Sequence, residues 1–307
     1  MKRFFVAIAA LGLSATVALA QDFNAAVDAF NAGAQALENN KTEALAQFRS
    51  ALTLASACEE AEAADMVAQC KEIIPATLLS IAKEQINDAL YDDALKALEE
   101  AKAVATEYGA EEAAKEADEL VPNVYLRKGT TLLKAKEFAA AVEAFSKVTA
   151  LTPEDGQAYL LLGQAQLQSG SNAQAIASLT KASELGEEQA GKLLGTTYLK
   201  EGMGLLKAGK NAEAIAALEK CNSYGDNANA YKLMASAYTK SGKSKSAIDC
   251  YKKYLQLNPE AKDAADINFT IAATAQKAGD KATAKEYYKK LAGSKYAAQA
   301  EAQLKTL

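Results

Sequence analysis

The residues able to do chemistry in this 307-residue chain are few: four cysteines, some carboxylates in adjacent pairs, and no histidine. Without an imidazole, the base, nucleophile-activating and zinc-ligand roles that depend on one are excluded. Cys58, Cys70, Cys221 and Cys250 form no Cys-x-x-Cys pair, and their spacing fits no metal framework. Asp92 with Asp93 and Glu59 with Glu60 are the crude candidates for a hydrolase using paired carboxylates. Neighbouring residues on a helix point in different directions, so neither pair converges on one scissile bond. A phosphate-cradling glycine loop, a nucleophile elbow and a calcium loop are also missing from the sequence. The expectation is a chain that is not an enzyme, with no cofactor, no metal and no catalytic residue.

What remains is a pattern of helices. From Gly156 to Glu187, the residues Tyr159, Leu162, Gly163 and Gln166 share one helical face, Gly170 ends that helix, and Ala175, Leu179 and Ala182 share a face of the next. Two antiparallel helices approach closely where Gly163 and Ala175 offer no bulk, with Tyr159 and Leu179 filling the space beside them. The preceding stretch, Pro122 to Asp155, repeats the offsets with Tyr125, Gly129, Ala141, Phe145 and a closing Pro153. This spacing resembles the tetratricopeptide repeat, a helix-turn-helix unit about 34 residues long with small and large residues at fixed offsets. The resemblance implies an all-α, right-handed superhelical solenoid of about seven such hairpins, ended by a capping helix.

The other units follow in order. The first carries Phe30 and Gly33, then Ala44, Phe48 and Ala51, across a turn at Asn39 and Asn40 that is one residue short of the pattern. The second carries Leu78, Ile81 and Ala82, then Ala94, Leu98 and Ala101, with no glycine at its turn. Extra segments, Glu59 to Ile74 and Glu111 to Val121, each run up to a proline, and Pro75 and Pro122 predict a kink or break in a long first helix. Tyr198, Gly202, Leu205, Ala214, Leu218 and Cys221 mark a fifth unit, preceded by an insertion near 189–194. Tyr231, Ala235, Tyr238, Ala247 and Tyr251 mark a sixth, and Ile271, Ala272, Ala284, Tyr288 and Leu291 a seventh. The expected organisation is divergent, longer hairpins over 21–121, a regular array over 122–293 and a cap over 294–307, forming one continuous solenoid over 21–307. Tyr296, Ala300 and Leu304 give the cap one apolar face.

Residues 1–20 read as an export signal: Lys2 and Arg3, an apolar run, then Ala18 and Ala20 before a cleavage point ahead of Gln21. The run is short for a membrane anchor and no cysteine follows it, so neither a span nor a lipoprotein is expected. The mature chain is then periplasmic or secreted, bacterial in style. Loss of the leader moves the formal charge from -5 to -7, against sequence-independent nucleic-acid binding. In an exported protein the cysteines raise a disulfide question. Buried small residues are the preferred reading, with Cys58 and Cys70 the better bridge candidates.

In tetratricopeptide-like proteins the first helix of each repeat lines the concave side, and the resemblance implies the same here. That face would hold Leu126, Thr130, Leu133 and Lys134, then Leu160, Gln164, Leu167 and Gln168, then Leu199, Met203, Leu206 and Lys207. An apolar strip repeated in three units marks a partner site if exposed. The alternative is burial of the strip by tight superhelical winding. The basic-and-Asn clamp with which some relatives hold a carboxylate tail is not matched, because Leu126, Thr130 and Leu161 stand where its polar residues are needed. The expected partner is another exported or envelope protein or peptide, held by a scaffold or adaptor. The alternative function is an assembly factor for outer-membrane or cell-wall machinery.

Overall fold

A computed structural model describes residues 20–307, with side chains from Phe23 onward. Apart from Ala20, the expected leader lies outside the described residues. Fifteen α-helices and no strand occur among the described residues, so the fold is all-α. The chain divides into two compact units, one ending at Thr152 and the other beginning at Pro153.

The first unit holds three hairpins: α1 (Ala20–Ala36) with α2 (Lys41–Ser56), α3 (Ala61–Asn87) with α4 (Tyr91–Tyr108), and α5 (Glu111–Lys134) with α6 (Phe138–Leu151). Each helix packs against the next, and α3 also touches α5, so the hairpins stack as repeats do. Their seams are filled by Phe48, Leu98 and Phe145, all fully buried. Burial of a side chain of this size contributes about 1.5–3 kcal/mol, which is what a hairpin too short to persist alone requires.

Of the kink or break expected at each proline, the break does not occur: Pro75 lies inside α3 and Pro122 inside α5. Proline deletes one backbone hydrogen bond, but Met66, Cys70, Ile74, Leu78 and Ala82 continue one buried face through Pro75 and keep both halves of α3 on the same core. The extra segments are therefore the leading turns of long first helices. At the glycine-free turn, Ala89 itself takes the left-handed conformation, φ 60°, and Leu90 N–H closes the helix end on the Gln85 carbonyl at 2.8 Å.

The second unit holds four hairpins and a terminal helix. These are α7 (Gly156–Gln168) with α8 (Asn172–Glu184), α9 (Glu188–Lys207) with α10 (Asn211–Ser223), α11 (Ala228–Lys240) with α12 (Ser244–Leu257), α13 (Ala264–Lys277) with α14 (Lys281–Lys289), and finally α15 (Ala297–Leu304). The insertion near 189–194 forms the first turns of α9. Close approach explains the seam glycines: a Cβ built on Gly163 would lie 2.6 Å from Leu179 Cγ, inside the contact limit. At the far end, Tyr296 stacks on Phe269 with ring centroids 4.5 Å apart and Ala300 is buried, fastening α15 to α13 and α14.

Candidate functional site

On α5 the expected binding residues Leu126, Thr130 and Leu133 are half-buried and Lys134 is exposed. The Thr130 hydroxyl donates to the Leu126 carbonyl of its own helix at 2.8 Å, so its proton is not offered outward.

In the second unit the strip is uneven. Leu160 is 2% exposed and belongs to the core, which corrects its assignment to an open face: it shares one buried cluster with Leu179 and Ala182 of α8 and Ala190 and Leu194 of α9. Leu167, Leu199 and Leu206 lean against the same core and are half-buried, as is Gln164. Met203 is 43% exposed, and Gln168 and Lys207 are exposed. Tight packing therefore claims much of this leucine set, and the open apolar area narrows to Met203 with the edges of its neighbours.

Sequence reasoning missed a groove beside this strip, because its residues come from three helices. Leu167 and Gln168 at the end of α7, Asn172 and Ile176 on α8, and Thr197, Lys200 and Glu201 on α9 line it. Leu167 and Ile176 supply half-buried apolar walls, while Gln168, Asn172, Lys200 and Glu201 are exposed around them. Thr197 turns its hydroxyl inward to the Leu193 carbonyl at 2.8 Å. Side-chain amides can pair with the N–H and C=O groups of an extended chain, and the apolar walls suit alternate side chains of such a segment. Next to the groove, Gln166 is 6% exposed and its side-chain oxygen has no hydrogen-bond partner. Gln85 leaves its oxygen unpaired at the equivalent position of α3, three residues after the seam residue Ala82.

Cys70, Cys221 and Cys250 are buried free thiols, so Cys70 bridges no other cysteine. Burial pushes the Cys70 thiol up to about 11; burial, then Asp249, pushes Cys250 to about 11. Cys58 is half-buried and its thiol donates to the Leu54 carbonyl at 3.3 Å. Among the described residues no group of three His, Cys, Asp or Glu could hold a metal, and no helix is long and apolar enough to cross a membrane.

Two family models match the chain, both described as tetratricopeptide repeat, over residues 126–190 and 228–260. These two segments are tetratricopeptide repeats. The matched segments contain α6 to α8 entirely and the α11–α12 hairpin, the stretches where the seam offsets are most regular. Among solved structures, MamA protein is 23% identical over 56% of this chain and 91% of its own, with a TM-score of 0.36. YrrB, described as a tetratricopeptide-repeat protein with an unusual peptide-binding site, is 17% identical over 60% of this chain and 91% of its own, at 0.34. MamA from Desulfovibrio magneticus RS-1 is 20% identical over 55% of this chain and 92% of its own, at 0.33. Overlaps of this size say nothing about ligand or site. No curated protein sequence matches the chain.

Proposed function

We propose that this protein is an exported, non-catalytic interaction scaffold that holds a segment of another envelope or secreted polypeptide on its first-helix face. The groove between α7, α8 and α9 carries the reading: apolar walls from Leu167 and Ile176 lie within a rim of amides and charges that could receive a peptide backbone. The exposed Met203 one turn beyond Leu199, with Lys207 after it, extends the same helix with adaptable apolar surface. On α5, Leu126, Thr130, Leu133 and Lys134 offer a comparable face within the first unit. Repeats built from interchangeable hairpins leave specificity to such exposed positions and not to the scaffold.

A photo-crosslinking residue at Gln168 tests the site. It captures a polypeptide in the native envelope, and the Met203→Glu, Asn172→Ala variant loses that capture while its helical circular dichroism is unchanged. Equal capture by both proteins would reject the groove. Export is tested separately by N-terminal sequencing of the mature protein, expected to begin at Gln21.

A further inference from the structure

The whole chain's mild acidity hides a division. Residues 21–152 contain 23 acidic and 12 basic side chains, net -11, whereas Pro153 to Leu307 contain 16 acidic and 20 basic, net +4. The basic excess gathers on one edge. Lys207, Lys240 and Lys277 each stand five residues after the small seam residue of their hairpin, Gly202, Ala235 and Ala272, and Lys210, Lys243 and Lys281 follow across the turn. The hairpins α9–α10, α11–α12 and α13–α14 stack in sequence, so the three turns lie along the same edge of the second unit.

All six lysines are exposed. Among the described residues only Lys210 of the six has a carboxylate at ion-pair distance, Glu213 of its own turn at 3.2 Å. Asp280, also at these turns, is engaged in capping α14, where it accepts the Thr283 N–H at 3.0 Å. The edge therefore presents six lysines against two carboxylates, Glu213 and Asp280, and keeps an excess of positive charge. In the α7–α8 turn the equivalent positions are Gln168 and Ser171, which ends the row there.

We propose that this lysine edge docks the acidic first unit of a second copy of the chain. Charge complementarity selects the occupant. The first unit carries the opposite excess, and Glu59, Glu62, Glu111 and Glu112, exposed near the α2–α3 and α4–α5 connections, have no lysine or arginine at ion-pair distance among the described residues. The contact joins two different surfaces, so association continues past a dimer instead of closing. Like other exposed charge contacts it is steered by long-range attraction and weakened by salt.

Sedimentation equilibrium of the full chain at about 20 mM and about 300 mM salt tests this, with at least an approximately tenfold loss of association expected at the higher salt. The variant Lys207→Glu, Lys240→Glu, Lys277→Glu is expected to remain folded and monomeric. Mixing it with Glu59→Lys, Glu62→Lys, Glu111→Lys, Glu112→Lys, itself expected to be monomeric, is expected to restore complexes between the two variants, because the untouched acidic unit of one meets the untouched lysine edge of the other. Wild-type protein that stays monomeric at low salt overturns the proposal, as does a lysine variant that associates like wild type. Lysine-dependent binding of the monomer to phosphatidylglycerol vesicles, without self-association, overturns it in favour of a lipid surface. Should the triple Glu variant unfold, the triple Gln variant replaces it and must still weaken association.

Discussion

The hairpins before Thr152 and those after Pro153 solve the same packing problem with different side chains. In the first unit, phenyl and aliphatic groups fill the seams, as where Phe30 meets Phe48 at 5.4 Å, and lysine–carboxylate pairs such as Lys83–Glu116 at 2.6 Å and Lys102–Asp118 at 2.8 Å link neighbouring helices. In the second, ten of the chain's 13 tyrosines occupy seams and rims. There three carboxylates recur in one arrangement. Asp226 accepts from Tyr231 and Lys253, Asp263 from Tyr254 and Lys232, and Asp266 from Tyr296 and Lys295; each lysine lies over the ring of its own cluster's tyrosine. A tyrosine buries its ring like phenylalanine but must keep its hydroxyl paired, so this unit gains direction at its rims where the first depends on filled volume.

Breaking the volume-filled seam should have the largest effect. Phe48→Ala is expected to destabilise the first unit by about 3–5 kcal/mol, read by chemical denaturation. Overfilling should cost less: in Gly202→Ala the new Cβ would lie 2.6 Å from Leu218 Cγ, and a loss of about 1–3 kcal/mol is expected. Turns sharpen the contrast between the units. Ala89 holds a positive φ that Gly242 holds at 71° in the second unit, so Ala89→Gly should stabilise and Gly242→Ala destabilise, each by about 1 kcal/mol in thermal melts. Gln166→Leu removes a buried unpaired oxygen and installs the residue type found at the equivalent Leu132 and Leu205; a gain of about 1 kcal/mol is expected.

The smallest effects are those of pH on the exposed clusters, where a direction is the prediction. Hydrogen bonds from Lys253 and then Tyr231 hold the Asp226 carboxyl low, as those from Lys295 and Tyr296 hold Asp266. Burial alone would raise Asp263, but Lys232 and Tyr254 bring it below its ordinary value. Carboxyls lowered on folding contribute stability above the unfolded value of about 4, and that contribution is lost as pH falls through the lowered values. The Tyr231 hydroxyl, raised to about 12 chiefly by its bond to Asp226, gives the opposite limb, lost as pH rises from about 10 toward that value. Asp263→Asn should flatten the acid limb of a tyrosine-fluorescence titration. An unchanged slope would show that these clusters do not distinguish the second unit.

Seam residues were the most legible part of the chain. Gly163 with Leu179, Ala141 with Phe145 and Ala235 with Tyr251 occupy their expected helices because close helix approach admits few residue types, and those types recur at fixed intervals. Exposure on the remaining faces was much less legible. Leu160 and Met203 obey the same helical spacing, yet one is enclosed by later helices and the other stands 43% open. The groove of Leu167, Asn172 and Lys200 draws on three helices, and no interval along the chain encodes that meeting.

By itself, the sequence determined the all-helical repeat and its hairpin seams, since periodic burial and the steric demand for small residues act locally. It also determined the acidic and basic halves, which are a matter of composition alone. Only the tertiary structure decided that α3 and α5 continue through their prolines, that Leu160 is core and that the hairpins carrying the three lysine turns pack one after another. Those outcomes depend on which distant helix covers a face, a contact that short-range spacing does not specify.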